Sequence, residues 1–345
     1  VSFPDNMDQN DPGLSRKAGS SPKVGTGQDS FNQPMNKARS YSYIINILLF
    51  IITFFTTTIA GMQWLGKTDL ADFATGLPYS LAILFVLASH EFGHYFASRY
   101  YNVNTTLPYF LPCPPPLNFG TFGAVIITRS KVPTRRAMFD IGVAGPIAGF
   151  IASLLILIYG FTHLPPREYL YTIHPEYLTG EKIQGIDLIF GDTLFFRFLA
   201  TILTNPQIDF VPPMNEVYHY PFLCVGWFGL FVTMLNMTPI GQLDGGHVIY
   251  AMLGSRYHRI IARVAFGTLL LLGLLGFAPM IGVQAPVGWL GWLFWALLVR
   301  LVIKLDHPQI SDPEPLDTKR RIIGWISILI LLLSFSPVPF VIRGL

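Results

Sequence analysis

The chain has 345 residues, of which 51% are hydrophobic and only 12% charged, and its formal net charge is +3. With a mean hydropathy of +0.47, it falls in the multispanning membrane class rather than among soluble domains. The small net charge gives no ground for a nucleic-acid partner, and two cysteines without a C-x-x-C pair, Cys113 and Cys224, predict no structural disulfide.

Residues 1–40 are rich in Gly, Pro, Ser, Asn and Asp and read as a disordered, slightly basic tail ahead of a polytopic domain over 41–345. The tail has neither an initiator Met nor a signal-peptide layout and reads as a trimmed terminus. A first span is predicted from Tyr43 to Met62 and a second from about Gly76 to Arg99. The second carries His90-Glu91-Phe92-Gly93-His94 after an uncharged run from Leu77 to Ser89. Ionisable side chains at membrane depth bear a desolvation cost that calls for a function. On a helix, His90 and His94 share a face, so both imidazoles can bind one metal, with Glu91 one residue along. This is the H-E-x-x-H pattern of zinc proteases. Read alone, it also fits an interfacial helix end bonded to water or backbone.

Within the loop 99–136, residues 107–116 include five prolines and read as a stiff apolar loop that dips into the membrane. Phe119 to Thr128 then reads as a strand or hairpin in which Gly120 and Gly123 permit close backbone approach. An exposed edge there suits strand addition of an unwound substrate; simple packing of the hairpin is the alternative. A third span runs from Ala137 to Gly160, with small residues at Gly142, Gly145, Ala148, Gly149 and Ala152 that read as a packing face. Asp140, at its start, reads either as the partner of a metal-bound His or as a helix-start carboxylate. The loop 161–220 is acidic, its Glu181 among the carboxylates, and Ile186 to Leu203 reads as a segment lying along the membrane surface. His163, His174 and His219 are scattered through this loop without metal-site spacing and are expected to be solvated.

The fourth span starts near Pro221 and reaches the stretch from Asn236 to His247, where Pro239, Gly241, Gly245 and Gly246 are predicted to break the helix. Irregular backbone at membrane depth is tolerated around a cavity. Asp244 therefore reads as a third ligand, completing a two-His, one-carboxylate set with an open position, or as a helix cap. His247 reads as an outer neighbour of that set rather than a fourth ligand. Further spans are predicted from Ile260 to Met280, Val287 to Ile303 and Ile322 to Phe340. With the N-terminus inside, five Lys and Arg fall in 1–42, five in 99–136, three in 256–263 and five in 300–321. Only Lys67, Arg167, Lys182, Arg197 and Arg343 fall outside, a positive-inside pattern. The C-terminus is then external and the His/Glu motif lies near the cytoplasmic face.

The motifs His90-Glu91-Phe92-Gly93-His94 and Asn236…Pro239…Leu243-Asp244-Gly245-Gly246, with Gly120 to Ser130 and Phe139 to Gly149, resemble the site-2 protease family of intramembrane zinc metalloproteases, peptidase family M50. The resemblance covers about residues 77–255 and implies a three-helix catalytic core. The expected fold is thus an all-α polytopic membrane protein of about seven transmembrane helices, with a small cytoplasmic β-hairpin or membrane-dipping loop and accessory helices over 260–343. The loop 161–220 is too short for the PDZ domain of some relatives. One Zn2+ per chain is expected on His90, His94 and Asp244, with Glu91 as general base. Asn236 is a candidate oxyanion or substrate-backbone donor, and Gly120 and Gly123 candidate substrate contacts. The expected partner is a single-span membrane-protein regulator, cut within the bilayer of a bacterial plasma membrane. A metal-binding membrane protein without proteolysis, a transporter or pseudoprotease scaffold, is the alternative reading.

Overall fold

The first helix, α1 (Gln33–Trp64), begins ten residues before the predicted span, because Pro34 suits a helix start and Met35, Lys37, Ala38 and Arg39 are good helix formers. Residues 33–40 of the expected tail are therefore helical. The computed structural model describes residues 33–114, 119–179, 187–283, 287–309 and 314–343. Residues 1–32 of the tail, Pro115 and Pro116 of the dipping loop, and Glu181, Lys182 and Ile186 lie outside the described residues. The chain divides into residues 1–41 and 42–345; all that follows concerns the second unit.

After a 3-10 turn capped by Asp69, α2 (Leu77–Tyr100) carries the H-E-x-x-H motif. It leads into β1 (Tyr109–Pro112) and β2 (Thr121–Val125), an antiparallel pair with Phe110 opposite Ala124. Part of the expected stiff loop is thus a strand. Asn46 near the start of the α1 span donates to the carbonyls of Leu107 and Pro108, Thr56 donates to Gly120 O at 2.6 Å, and Phe119 meets the Trp64 ring at the helix end. The hairpin therefore runs beside α1 from Asn46 to Trp64, about 27 Å at 1.5 Å per residue. Gly120 adopts φ +71°, and a Cβ there would come within 2.5 Å of Thr57 Cα, so this glycine serves the contact with α1.

The third helix, α3 (Arg135–Thr162), starts at Thr134, whose hydroxyl accepts from Ala137 N. The loop beyond it folds into α4 (Glu168–Ile173), α5 (Glu176–Thr179), β3 (Asp187–Phe190) and α6 (Leu194–Leu203). Phe196 and Leu199 of α6 are buried, Phe196 against Phe161 of α3, while Leu194, Phe198 and Ile202 are exposed.

The single predicted fourth span is two helices, α7 (Pro221–Met237) and α8 (Asp244–Leu275). Pro239 and Gly241 occupy the break, where Gly241 has φ +56° and its N–H donates to Leu305 O. Gly245 and Gly246 do not break the helix. They form its first turn, where their lack of a side chain admits the carbonyls of Met237, Ile240 and Gly241. The predicted fifth span is the later part of α8, beyond a kink at Gly254. The sixth is α9 (Gly291–Leu298) with a π-turn after it, and the seventh is α10 (Thr318–Ser334). Pro337 and Pro339 stop α10 short of Phe340, and β4 (Phe340–Arg343) pairs antiparallel with β3 instead. Among the described residues, four helices are long and apolar enough to cross a membrane: Tyr43–Trp64, Leu70–Tyr100, Arg135–Thr162 and Asp244–Leu275; α7 and α9 are shorter apolar helices.

The core sits where α2, α3 and α7 pack together, filled by Tyr79, Leu157, Leu223, Trp227 and Leu230. A polar tie joins α10 to the start of α3 and the residue after α2. Arg320 donates from Nε and Nη2 to the two Asp140 oxygens, at 2.8 and 2.6 Å, and Tyr101 donates to the same carboxylate at 2.5 Å. Arg320→Ala should destabilise the fold by about 1.5–3 kcal/mol, the scale for partly buried bonds to charged groups. Arg136→Ala, which loses the exposed pair with Glu314, should change stability by less than about 1 kcal/mol. Thermal unfolding in detergent compares the two.

Candidate metal centre

Helical spacing carries His90 and His94 onto one face of α2, and both rings are buried, as is Glu91. Asp244 reaches the same point from another helix. It is the first residue of α8, following Leu243 at the cap position, and its carboxylate turns toward the imidazoles. Asp244 Oδ2 lies 3.5 Å from His90 Nε2 and 3.2 Å from His94 Nε2, and the two Nε2 atoms are 3.1 Å apart. The α7–α8 break makes this meeting possible, because a continuous helix would carry Asp244 past α2.

Tautomer is set by outer contacts. His94 Nδ1 donates to Ile141 O at 2.7 Å, so its Nε2 lone pair points at Asp244. The expected partner Asp140 does not fill this role: it is drawn to Arg320 and Tyr101, and the neighbouring backbone carbonyl holds the ring instead. His90 Nδ1 is buried without a hydrogen-bond partner among the described residues. Two imidazole nitrogens and a carboxylate oxygen thus converge on one point, as ligand atoms do around a shared cation. Two imidazoles and one carboxylate are also a donor set suited to zinc. The residues present therefore fit a zinc ion.

The glycines of α3 prove to be seats for these rings. A methyl group built on Gly145 would overlap the His94 imidazole, and one on Gly149 would approach His90 Cβ and Nδ1 to 3.1 Å. Gly93 on α2 reciprocates, since a Cβ there would lie 2.5 Å from Ala144 O. Asn236, at the end of α7, points Nδ2 to within 3.2 Å of His90 Nε2. The Glu91 carboxylate lies beside the backbone N–H of Ile126, the residue after β2. Gly123 has φ +103° and open space where a side chain would be, whereas Gly120 is turned to α1. His247 lies outside the ligand set, its Nδ1 2.7 Å from His307 Nε2. His307 carries no spacing signal and is not foreseen from the sequence.

Against known proteins, the chain is 27% identical over 266 residues to the probable zinc metalloprotease EGY1, chloroplastic, of Arabidopsis thaliana, covering 76% of this chain and 43% of that protein. The corresponding rice protein (Oryza sativa subsp. japonica) is 27% identical over 332 residues, covering 86% and 51%. The probable zinc metalloprotease EGY2, chloroplastic, of Arabidopsis is 26% identical, covering 78% and 43%. The chain thus spans about half the length of the curated relatives it matches. No solved structure matches. The model of peptidase family M50 matches residues 78–275, a stretch that includes both H-E-x-x-H and Asp244 and exceeds half the chain, so the protein belongs to peptidase family M50.

Proposed function

We propose that this chain is an intramembrane zinc endopeptidase that cuts transmembrane segments of membrane proteins, with His90, His94 and Asp244 holding the metal. The observation that carries the reading is the convergence of two buried imidazoles and a carboxylate from α2 and α8, with Glu91 one residue from the first imidazole. The names of the relatives favour it over a transporter or a scaffold. Zinc, when bound, supplies Lewis acidity that polarises a peptide carbonyl and acidifies water.

The chain's own residues account for the rest. Glu91 takes a proton from the attacking water and returns it to the leaving amine nitrogen, within a site shielded from bulk solvent. Ile141 O keeps His94 oriented with Nε2 inward. Asn236 offers an amide donor beside His90, suited to the developing oxyanion or to the substrate backbone. A helical substrate hides its scissile bond and must first unwind. β2 is bonded to β1 along one edge, and Ile126 beyond it lies against Glu91. An extended substrate strand laid on the hairpin, with Gly123 allowing close approach, would thus enter next to the general base. The substrate is a single-span membrane regulator, and the positive-inside pattern supports seven membrane crossings with a cytoplasmic N-terminus in a plasma membrane.

Purified protein in detergent should cut a single-span reporter within its apolar segment. Chelation should stop cleavage and added zinc restore it. Asp244→Ala should weaken zinc binding by at least about 100-fold and abolish cleavage. Cleavage that survives complete removal of metal would refute the proposal.

A further inference from the structure

The loop after α3 contains a second group of metal-ligand type. His174 follows α4, while Glu216 and His219 lie just before α7, and one ligand atom from each falls within 4.8 Å of the other two. The two Nε2 atoms are 2.9 Å apart, and Glu216 Oε2 is 3.6 Å from His219 Nε2 and 3.9 Å from His174 Nε2. The expectation of scattered, solvated histidines fails for His219, which is only 4% exposed beside a Glu216 that is 3% exposed, and His174 is half-buried.

Each ring is fixed through its other nitrogen. His219 Nδ1 donates to Trp64 O at 2.5 Å, and His174 Nδ1 donates to Glu176 Oε1 at 2.9 Å. Both acceptors lack a proton to give, so both Nδ1 atoms carry hydrogen, which leaves Nε2 as the ligand atom of each neutral ring. On Glu216, Tyr177 and Asn215 donate to Oε1, while Oε2 faces the rings. The arrangement repeats that of His90, His94 and Asp244, where the Nε2 atoms are 3.1 Å apart. As at His94, a backbone carbonyl orients one ring, and here a carboxylate orients the other, the outer partners typical of metal-bound histidines. A cavity of about 400 Å³ lined in part by Arg167, Tyr177 and Glu216 adjoins the group.

We propose that His174, Glu216 and His219 bind a second divalent ion of the zinc class. Its place is structural. It fastens the segment after α4 to the segment before α7 and, through the Trp64 carbonyl, to the end of α1. The two centres stand at opposite ends of the 17-residue α7, about 25 Å apart along its axis.

The test is metal stoichiometry on the full chain, stripped with chelator in detergent and reloaded with zinc alone. Wild type should hold two ions per chain, His174→Ala one, His94→Ala one, and the double variant none. The ion retained by His174→Ala also reports that the variant has folded. Glu176→Ala, which removes only the partner of His174 Nδ1, should weaken the second ion about 10–100-fold without affecting the first. A wild-type chain holding one ion, lost in His94→Ala and kept in His174→Ala, would overturn the second site and mean that a proton bridges its rings. One ion with the opposite pattern would support the second site and refute the first.

Discussion

Glu91→Gln is expected to lower the cleavage rate of a single-span reporter by about 10²–10⁴-fold, the usual worth of a positioned general base, while zinc content stays at the wild-type level. Gln matches Glu in size and keeps an oxygen toward the Ile126 N–H, so the packing around this buried side chain is preserved. What it loses is the ability to take a proton from water. The ligands are untouched, because His90 and His94 lie on the adjoining face and Asp244 comes from α8. Metal analysis and kinetics on one preparation separate the two effects. Wild-type cleavage by a zinc-loaded Gln variant would remove Glu91 from the mechanism.

Gly145→Ala is the sharper test of the tertiary arrangement. By helix propensity alone, Ala in place of Gly inside a helix stabilises by about 1 kcal/mol. Here the added methyl would overlap the His94 ring, coming within 2.1 Å of Nε2. The ring must swing away from Asp244 or α3 must move back from α2, and either change opens the ligand set. Zinc affinity should fall at least about 10–100-fold, with cleavage falling in parallel and helix content unchanged. Gly267→Ala in α8 is the control, since a Cβ there meets nothing within 4 Å. That substitution should be neutral or stabilising by up to about 1 kcal/mol. Wild-type zinc affinity in Gly145→Ala would show that α3 does not seat the ring.

The most legible features were those that depend on spacing within one element. His90 and His94 are ligand-like because i and i+4 share a helix face, and Asp244 because a carboxylate beside helix breakers at membrane depth needs a partner. Strand β2, within the stretch from Phe119 to Thr128, belongs to the same local level. Boundaries were less legible. The break at Pro239 and Gly241 was legible, but Gly245 and Gly246, read as part of it, open α8 instead. Hydropathy carried the last span through Phe340, where two prolines turn the chain into a strand.

The amino-acid sequence by itself determined the membrane class, the ligand types and their approximate common depth, because composition and helical period act residue by residue. Tertiary structure alone decided which groups meet across long separations. Asp140 is drawn to Arg320, 180 residues away, leaving Ile141 O to orient His94. Gly145 and Gly149 are ring seats rather than generic packing positions. His174 and His219, 45 residues apart, face one another across Glu216. No local pattern encodes such pairings, since they arise from how loops close and helices cross, and a single buried lone pair is satisfied by whichever partner that closure delivers.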